Sequence, residues 1–434
     1  MNLGIIGSGH VGLVTGACFS DFGHSVVCMD DDRPKIGNLK NGKVPFFEPN
    51  LEEIIHKNVK KKRLRFSTSI EEVVKFSEII FLCVGTPPRE NGEADLSQVE
   101  TVAKAIAKHL SSYRLIVEKS TVPVETGIQL DKTIRRNVKK TISFDVASNP
   151  EFLREGSAVQ DFFKPDRIVL GVQSERAEKL LLKLYKPFKV PIIVTDIQSA
   201  ELIKHASNSF LATKISFINL VSQICEKVGA DVTKVAEGMG ADKRIGPLFL
   251  NAGIGYGGSC FPKDLSAFTR IGESLNVDCG LLKNVEKINE LQKSSFVNKA
   301  RSAVWNFKGK TIGVLGLAFK PDTDDMRCAP SVDILTTLMR EGANINAYDP
   351  YAGPVAKQLL NGLQFSKDPY NVCRGADALL IFTEWDEFKK LDLKRIKKLL
   401  KQPIVIDGRN LYDRALMKKL GFHYFSVGRE STSK

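Results

Sequence analysis

The chain has 434 residues, a length that at roughly 150 residues per domain predicts about three structural units. Hydrophobic residues make up 43% and charged residues 26%, which excludes a disordered or low-complexity chain. Lysine and arginine total 63 against 50 aspartates and glutamates, and the net charge of +13 is compatible with polyanion binding or with phosphorylated small-molecule ligands.

Short runs rich in β-branched residues alternate with helical patterns through the first part of the chain. These runs are LGIIG, SVVCMD, LRFS, EIIFLCVG, RLIVEKS, FDVAS, RIVLGV and PIIVT. The alternation predicts a parallel sheet with crossover helices. The densest basic run, residues 57–65, lies between two of these elements and contains no aromatic side chain that could stack on a base. A solvated surface is therefore favoured there over a nucleic-acid role.

One long helix is predicted from about Ile197 to Val228. Thr195 or Asp196 can cap its start, and Gly229 can end it. At 1.5 Å per residue the helix would be about 45 Å long, which is more than one small domain needs. It is apolar on more than one face, so we expect it to be buried by domains on both sides or by a second subunit. It is thus a candidate connector and dimerisation helix.

A second series of strands begins at Lys310 and reads KTIGVLGLAFKP, NINAYDP, ALLIFTEW and PIVIDGR. It repeats the order of the first series, because a glycine-containing strand end is followed by a strand that closes on an acid, Asp30 earlier and Asp349 here. Any two α/β domains could show the same similarity. The predicted fold class is α/β, with two doubly wound Rossmann-like domains joined by a long central helix and a helical middle domain.

A dinucleotide-binding fingerprint follows the first strand and opens a helix. Its glycines allow a tight turn, close approach of pyrophosphate and helix packing, and the motif comprises Gly7, Gly9, Val11 and Gly12. Asp30 ends the next strand, where a carboxylate would accept from a ribose 2′-OH and repel a 2′-phosphate. NAD is therefore favoured over NADP, although Arg33 and Lys35 stand close by. Gly313 and Gly316 lack a third glycine, so a second dinucleotide site is not expected.

Membrane and disulfide signals are absent from the sequence. No stretch approaches 18 consecutive apolar residues, and MNLGIIGSG reaches its glycines too early for a signal peptide. We expect no membrane partner and a cytoplasmic location. The eight cysteines contain no CxxC pair, and Cys28 and Cys83 lie in apolar runs. The sequence therefore predicts no disulfides and no metal site.

Four further segments carry reactive side chains: VEKSTVP (117–123), NPEFLREG (149–156), ELIKHASN (201–208) and GYGGSCFPKD (255–264). With the fingerprint and AFKPDTDDMR (318–327), they resemble the nucleotide-sugar 6-dehydrogenases of the UDP-glucose/GDP-mannose dehydrogenase family. The resemblance runs from Gly7 to Arg409 in the same order. It departs at His10, where the family often has an aromatic residue, but the glycines carry the geometry of that turn.

Cys260 stands in a glycine-rich loop with an acid, Asp264, four residues later. Gly257 and Gly258 add no side chain, so a substrate carbon can approach the thiol closely. A lone cysteine is more often a small buried side chain, but the polar loop and the resemblance favour a nucleophile. The resemblance implies that this thiol enables the four-electron oxidation of UDP-glucose to UDP-glucuronate with two NAD, through a thiohemiacetal and a thioester.

The resemblance also implies roles for individual residues. Lys204 and Asn208, at i and i+4 on one helix face, would donate to the developing oxyanion. Asp264 would orient a water or accept the first proton, with Thr121 assisting, and Glu151 would act on the hydrolytic water. His205 is expected to be structural.

Binding residues follow from the same resemblance. The expected cofactor contacts outside the fingerprint and Asp30 are Lys35, Thr86, Thr121, Glu155, Lys263 and Arg327. The expected substrate contacts are Glu151, Phe152, Leu153, Lys204, Asn208, Arg244, Asn251, Tyr256, Gly257, Phe319, Lys320 and Arg409. Arg244 would reach the substrate of a partner subunit in a homodimer. The implied domains are 1–196 (NAD-binding, Rossmann), 197–300 (helical connector and dimerisation) and 301–434 (Rossmann-like, nucleotide-sugar-binding).

Two other hypotheses stay open from the sequence. A sister enzyme could perform the same oxidation on GDP-mannose or a UDP-N-acetylhexosamine, although NPEFLREG followed by KPDRIVLG favours the UDP-glucose branch. A non-catalytic nucleotide-binding or nucleic-acid-binding protein would be favoured by loss of Cys260 or Lys204, and both residues are present. We therefore expect no nucleic-acid partner.

Overall fold

The structure, a computed structural model, describes residues 1–87, 89 and 92–432. The chain forms two compact units, each built from two separate stretches of sequence. The first unit contains Met1–Ser207 and Ser266–Val277, and the second contains Asn208–Leu265 and Asp278–Lys434.

The first unit is built on an eight-stranded sheet whose strands coincide with the eight predicted runs. They are β1 (Asn2–Ile6), β2 (Ser25–Met29), β3 (Leu64–Ser67), β4 (Ile79–Leu82), β5 (Arg114–Glu118), β6 (Phe144–Ser148), β7 (Ile168–Val172) and β8 (Ile192–Thr195). The order is β3-β2-β1-β4-β5-β6-β7-β8. The first six strands follow the doubly wound order, with its reversal between β1 and β4.

One strand pair departs from the predicted parallel sheet. β6 and β7 pair antiparallel, with Ala147 opposite Val172 and Ser148 opposite Gly171. A parallel pair would need a crossover that returns the chain to the far edge, whereas an antiparallel strand can start from the edge at which β6 ends. As a consequence, the residues that follow β6 run on beside β7.

Helices cover both faces of this sheet. They are α1 (His10–Asp21), α2 (Arg33–Lys40), α3 (Leu51–Lys60), α4 (Ile70–Phe76), α5 (Ser97–His109), α6 (Thr126–Asn137), α7 (Ala158–Phe163) and α8 (Glu175–Tyr185). Alternate strand residues point to opposite faces, so the sheet contributes to two separate apolar cores. Ile5 and Phe81 lie in one core, and Ile6 and Ile80 lie in the other.

The next helix, α9 (Ile197–Val228), has the predicted bounds. Asp196 caps its start, because the carboxylate accepts from the Ser199 amide at 2.7 Å. Gly229 follows its end with a φ of +75°, the left-handed conformation that commonly stops a helix.

The second unit contains a six-stranded parallel sheet and the remaining helices. The helices are α10 (Val232–Gly240), α11 (Phe261–Ser274, which ends in the first unit), α12 (Gly280–Val304), α13 (Pro330–Arg340), α14 (Gly353–Leu359), α15 (Asp386–Lys389), α16 (Leu393–Leu399) and α17 (Arg414–Lys419). The strands are β9 (Thr311–Leu315), β10 (Asn344–Tyr348), β11 (Gln364–Phe365), β12 (Ala378–Ile381), β13 (Ile404–Asp407) and β14 (His423–Ser426).

The order of this second sheet, β11-β10-β9-β12-β13-β14, repeats the doubly wound order of the first. The fold prediction is confirmed: the second strand series is a second Rossmann-like sheet, and a long helix lies between the two series. Only β11 and β14 were not predicted. β11 has two residues, too few to show the alternation by which strands are recognised.

All eight cysteines are thiols, and they differ in exposure. Cys260 is partly buried, Cys328 is exposed, and the other six are buried. Among the residues that the structure describes, no cluster of histidine, cysteine, aspartate and glutamate could hold a metal ion. In the same residues, no helix has the length and apolar character that a membrane crossing requires.

Candidate active site

The surroundings of the three fingerprint glycines differ, so glycine is present at each position for a different reason. Gly7 has a φ of +96°, and a β-carbon there would lie 2.5 Å from the carbonyl oxygen of Cys83. A β-carbon on Gly12, inside α1, would lie 1.9 Å from the carbonyl oxygen of Gly7. Gly9 differs, because a β-carbon there would meet no atom within 4 Å. The packing of the protein therefore does not require glycine at position 9, in keeping with the expectation that a pyrophosphate approaches the backbone there.

Asp30 lies at the end of β2, next to the fingerprint turn. Its carboxylate accepts from the Ser8 amide at 2.8 Å and from the Lys35 ammonium at 3.0 Å. Burial opposes ionisation of Asp30, but these bonds outweigh it and hold its pKa below the usual value. Asp30 is therefore an anion beside the turn, the charge that a ribose 2′-OH binds and a 2′-phosphate avoids. Val11 follows on the first turn of α1.

The other expected cofactor residues of the first unit lie on loops that follow neighbouring strands. The Thr86 hydroxyl, after β4, donates to the carbonyl oxygen of Thr121, after β5, at 2.8 Å. Glu155 belongs to the loop after β6, at the end of the NPEFLREG segment. Strand ends next to a reversal of strand order are where doubly wound sheets bind their ligands.

A buried ion pair joins the segment after β6 to α9. The Lys204 ammonium lies 2.9 Å from Glu151 Oε1, and both side chains are about 5% exposed or less. Glu151 Oε2 accepts from the Leu153 amide at 2.6 Å. The ring of Phe152 lies 5.4 Å from the Lys204 nitrogen. Removing two charges from water costs free energy, and the attraction between them offsets that cost only if their geometry is good. The positions of both charged groups are therefore closely restricted.

Cys260 precedes α11 in the second unit. The Asp264 amide donates to its carbonyl oxygen at 2.8 Å, so the thiol stands at the N-terminal end of that helix. Such a position stabilises a thiolate. The Ser259 hydroxyl lies 3.6 Å from the sulfur.

Asp264 is almost fully buried, and both of its oxygens are hydrogen-bonded. Oδ2 accepts from the Asn208 side-chain amide at 2.6 Å, and Oδ1 lies 2.7 Å from the Lys263 ammonium. The structure therefore brings Asn208 and Asp264 together. Lys263, expected at the cofactor, contacts Asp264 here.

Several expected substrate residues of the second unit form two groups. Arg409 follows β13, and its guanidinium donates to the carbonyl oxygens of Phe382 at 2.8 Å and Phe319 at 3.0 Å. The Arg409 guanidinium also packs within 3.1 Å of the place a β-carbon on Gly253 would occupy. This group brings the loops after β9, β12 and β13 together, with the Lys320 ammonium 5.7 Å from the Phe319 ring.

The second group surrounds the cysteine loop. Tyr256 is buried, and its amide donates to Asn289 Oδ1 at 2.8 Å. A β-carbon on Gly257 would lie 2.3 Å from the carbonyl oxygen of Cys328. The loop that contains Gly257 therefore passes close to the backbone at Cys328. Arg327, expected at the cofactor, pairs with Asp325 at 2.9 Å.

Two expected substrate residues of the second unit lie at its surface. Arg244 pairs with Asp242 at 2.6 Å on an exposed loop, and its side chain is 88% exposed. Asn251 is exposed as well. These positions suit contacts with something outside the unit better than a buried pocket of their own.

Several residues of the first unit that position the site were not predicted. Glu48 accepts from the amides of Gly156 at 2.7 Å and Ala158 at 2.8 Å, which ties the end of the segment after β6. Asn149 bonds to Val169 of β7 through its side chain. His205 is structural in the sense expected, because it hydrogen-bonds to the Val122 carbonyl oxygen and stacks on Phe268. The NPE string was the only sequence signal for Asn149, and Glu48 had none.

Each unit by itself offers chemically useful groups. The first unit offers a glycine turn for a dinucleotide and a buried carboxylate–ammonium pair. The second unit offers a thiol at a helix N-terminus, a buried carboxylate with an amide donor, and a cluster of arginine and aromatic loops that fits a nucleotide.

Comparison with known proteins covers almost the whole chain. Residues 1–189 match the NAD binding domain of the UDP-glucose/GDP-mannose dehydrogenase family, residues 198–291 match its central domain, and residues 313–414 match its UDP binding domain. UDP-glucose 6-dehydrogenase TuaD of Bacillus subtilis is 48% identical over 428 residues, which cover 98% of this chain and 93% of that protein.

Solved structures resemble the chain over 99% of its length. A UDP-glucose dehydrogenase from Pyrobaculum islandicum is 38% identical, with a TM-score of 0.92 over 98% of that chain. A UDP-D-ManNAc dehydrogenase from Pyrococcus horikoshii is 26% identical, with a TM-score of 0.87 over 99% of that chain.

Two glycine substitutions separate folding from cofactor binding. Gly12→Ala should lower the free energy of unfolding by about 1–3 kcal/mol, because the new methyl group overlaps the Gly7 carbonyl oxygen. Alanine is the better helix former by about 1 kcal/mol, so a loss of stability isolates the overlap. Gly9→Ala should leave stability unchanged and weaken NAD binding by roughly tenfold or more, equivalent to about 1.4 kcal/mol.

Thermal unfolding and calorimetric titration with NAD measure the two effects. Equal losses of stability in both variants would contradict the distinction drawn between Gly9 and Gly12.

Proposed function

Because the chain belongs to the UDP-glucose/GDP-mannose dehydrogenase family and is an NAD-dependent oxidoreductase, we propose that it oxidises UDP-glucose to UDP-glucuronate. The observation that carries this proposal is the position of Cys260 at the N-terminus of α11, within a chain that also contains NAD and UDP binding domains. A thiol at such a site is needed only if oxidation continues past the aldehyde.

The cofactor is NAD, which supplies the hydride acceptor for both oxidations. Gly7, Gly9 and Gly12 would hold its pyrophosphate against the start of α1, and Asp30 would accept from its ribose. Further contacts are assigned to Val11, Lys35, Thr86, Thr121, Glu155, Lys263 and Arg327. This set follows the family resemblance and the strand ends at which these side chains lie.

The first oxidation removes a hydride from C6 of the glucose and a proton from its hydroxyl. Asp264 is assigned to accept that proton, directly or through a water that Thr121 helps to orient. Lys204 and Asn208 are assigned to donate to the oxygen as it gains negative charge, a role in which a lost donor typically costs about 10² to 10³ in rate. The buried positions of Lys204 and Asp264 support these roles, since a group already withdrawn from water needs no desolvation during the reaction.

The second oxidation depends on Cys260. Its thiolate forms a C–S bond to C6 of the aldehyde, and the oxygen takes a proton, which gives a thiohemiacetal. This carbon again bears a hydrogen that can leave as a hydride. Loss of that hydride and of the hydroxyl proton yields a thioester.

Hydrolysis completes the reaction. Water adds to the thioester carbon, its proton passes to Glu151, and the C–S bond breaks to restore the Cys260 thiolate. The balance is one alcohol, one water and two NAD giving one carboxylate, two NADH and three protons. Glu151 suits this step because its carboxylate is held in place by Lys204 and by the Leu153 amide.

The nucleotide sugar would bind through residues of several of the segments described above. The assigned contacts are Glu151, Phe152, Leu153, Lys204, Asn208, Arg244, Asn251, Tyr256, Gly257, Phe319, Lys320 and Arg409. A cationic fork such as Arg409 fits a diphosphate, and an aromatic side chain fits a base. The likeness to the Pyrococcus horikoshii structure supports a second candidate, the same oxidation of a UDP-N-acetylhexosamine. The family also includes GDP-mannose dehydrogenases, so GDP-mannose is the other alternative sugar.

The chain would work as three regions. Residues 1–196 bind NAD, residues 197–300 connect and dimerise, and residues 301–434 bind the nucleotide sugar, with Ser433 and Lys434 outside the described residues. The three matched family domains support this division. A cytoplasmic location is part of the proposal, and the eight reduced cysteines suit a reducing compartment.

A homodimer is supported by an apolar stripe on α9. Phe210, Phe217 and Ile224 repeat every seven residues and are 65%, 47% and 54% exposed, and Val228 continues the line at 70%. Residues seven apart lie nearly in line on a helix, so these side chains form one continuous exposed face. A second copy of the same helix offers a self-complementary surface for it. Arg244, exposed on a loop, would then reach the partner's substrate.

The stoichiometry of NADH tests the reaction. Incubation with NAD and a panel of UDP- and GDP-sugars should give two NADH per UDP-glucose consumed, with UDP-glucuronate as product and no free aldehyde. A ratio of one would place the enzyme among ordinary alcohol dehydrogenases. Preference for another sugar at a ratio of two would select the second candidate.

Replacement of Glu151 tests the hydrolytic step. Glu151→Gln keeps the shape but cannot accept a proton, so both hydride transfers should survive while hydrolysis slows by roughly 10² to 10⁴. Rapid-quench and intact-mass measurements should show a burst of NADH approaching two per site and added mass on the protein. The matched control is Cys260→Ser, which should accumulate no thioester. Normal turnover, or no first hydride transfer, would contradict the assignment of Glu151 to hydrolysis.

The dimer is tested by charge placed on the stripe. Phe217→Asp should convert the dimer to monomer in sedimentation analysis, because a carboxylate in an apolar interface loses its hydration. Lys227→Glu, on the same helix but outside the stripe, should leave the dimer intact. An unmodified protein that sediments as a monomer would rule the homodimer out.

A further inference from the structure

Lys119 is a buried cation for which the reaction described above has no use. It directly follows β5, and its side chain is almost completely buried. Its ammonium donates to Asn149 Oδ1 at 3.0 Å and to the Asn149 carbonyl oxygen at 3.4 Å. Burying an ammonium is costly, so a fold that keeps one at this place gains something from it.

Asn149 is held on every side. Its backbone amide donates to the carbonyl oxygen of Glu118 at 2.8 Å, and its side-chain amide donates to that of Val169 at 2.8 Å. The hydroxyl of Tyr185 donates to the same Oδ1 that Lys119 contacts. Asn149 is thus held firmly at the start of residues 149–151, here called the NPE segment, two residues before Glu151.

The charges around Lys119 belong to the same group of side chains. Burial, with a smaller contribution from the charge of Lys204, lowers the pKa of the Lys119 ammonium to about 8, against the opposing effects of Cys83 and Glu151. Cys83, Glu151 and Lys204 face it from the ends of β4 and β6 and from α9, and Tyr185 faces it from α8. Lys119 is therefore buried among these side chains, and the charge of Glu151 is close enough to affect it.

We propose that Lys119 is a positioning residue: by fixing Asn149 it holds the NPE segment, and thereby Glu151, in the orientation that thioester hydrolysis requires. This inference rests on the role proposed for Glu151. Both oxygens of Glu151 are already engaged, so a small rotation of the segment would move the carboxylate away from the path of the water. A charge-assisted bond to Asn149 resists that rotation better than a neutral one.

Lys119→Met tests the proposal, because methionine retains the length of the side chain without the ammonium. Hydrolysis should slow roughly 10- to 100-fold, the scale of a misplaced catalytic group. The Kd values for NAD and for UDP-glucose, each titrated alone, should stay within about threefold, since ligand contacts are untouched. The thioester should accumulate, seen as added protein mass and an NADH burst. An NADH burst that approaches two per active site, together with an unchanged thermal transition, shows that the variant is folded.

Tyr185→Phe is the matched control. It removes the other hydrogen bond to Asn149 Oδ1 and leaves the charge, so hydrolysis should slow by less than about threefold, in keeping with a neutral bond worth about 0.5–1.5 kcal/mol. An effect as large as that of Lys119→Met would show that any bond to Asn149 serves equally, which overturns the assignment to Lys119.

The double variant decides whether Lys119 acts through Glu151. Lys119→Met should add nothing to the hydrolytic defect of Glu151→Gln. A further loss of tenfold, or slowing of the first hydride transfer, would overturn the proposal. If the thioester accumulates in Glu151→Gln but not in Lys119→Met, the role of Lys119 alone is overturned. If no thioester accumulates in Glu151→Gln, the role of Glu151 is overturned, and this proposal with it.

The pH dependence of hydrolysis supplies a readout that a merely structural role would not move. The ammonium is present below about pH 8 and is lost as the pH rises. The ratio of the hydrolysis rates of the unmodified enzyme and Lys119→Met should therefore fall between pH 7 and pH 9.5. Hydroxide affects both enzymes alike, so it cancels in the ratio. A constant ratio would overturn the proposal.

Discussion

Buried charged side chains constrain the arrangement of the first unit. Six carboxylate and ammonium groups among its described residues are at most 5% exposed: Glu48, Glu118, Lys119, Glu151, Glu201 and Lys204. Each needs a partner or must become neutral. Glu201 accepts from the amides of Glu125 and Gly127 at the start of α6, yet burial raises its pKa to about 7. Glu118 has no hydrogen-bond partner among the described residues, and burial together with the charge of Glu201 raises its pKa well above the usual value. The strand ends of this sheet are therefore set by electrostatics as much as by packing.

Much of this arrangement could be predicted from local sequence. The features that were not predicted depend on contacts between residues far apart in the sequence. The eight strands and α9 were predicted because β-branched runs, caps and glycine stops lie within a few residues of one another. The antiparallel direction of β7 was not predicted, since its pairing with β6 leaves no local signal. Glu48 was missed for the same reason: its partners lie 108 and 110 residues away. Lys119 and Asn149 stood in recognised motifs, but only the folded chain shows that they touch.

The two Rossmann-like sheets show how one position can serve different ends. Asp30 and Asp349 both close the second strand of their series. Asp30 accepts from the amides of Ser8 and Asp32 and from the Lys35 ammonium beside a glycine turn, whereas Asp349 accepts from four amides, those of Leu317, Ala318, Tyr351 and Ala352. Within the part of the chain that the structure describes, the second acid has no lysine partner of this kind, and it secures the loops on both sides of it. Asp407 does the same in β13, where its carboxylate accepts from the Arg409 amide and from the Tyr424 hydroxyl.

The uneven burial of the eight thiols has a consequence for chemical probes. An electrophile in solution meets Cys328, which is exposed, as readily as Cys260, which is partly buried. The rate of labelling depends on the thiolate fraction as well as on access, and neighbouring burial and acidic side chains raise the pKa of the Cys328 thiol. Cys260 differs in position, because it lies directly before the N-terminus of α11. A covalent reagent of low reactivity would thus label Cys328 slowly despite its exposure, whereas an aggressive alkylating agent would modify both thiols and report a stoichiometry that overstates the number of active sites.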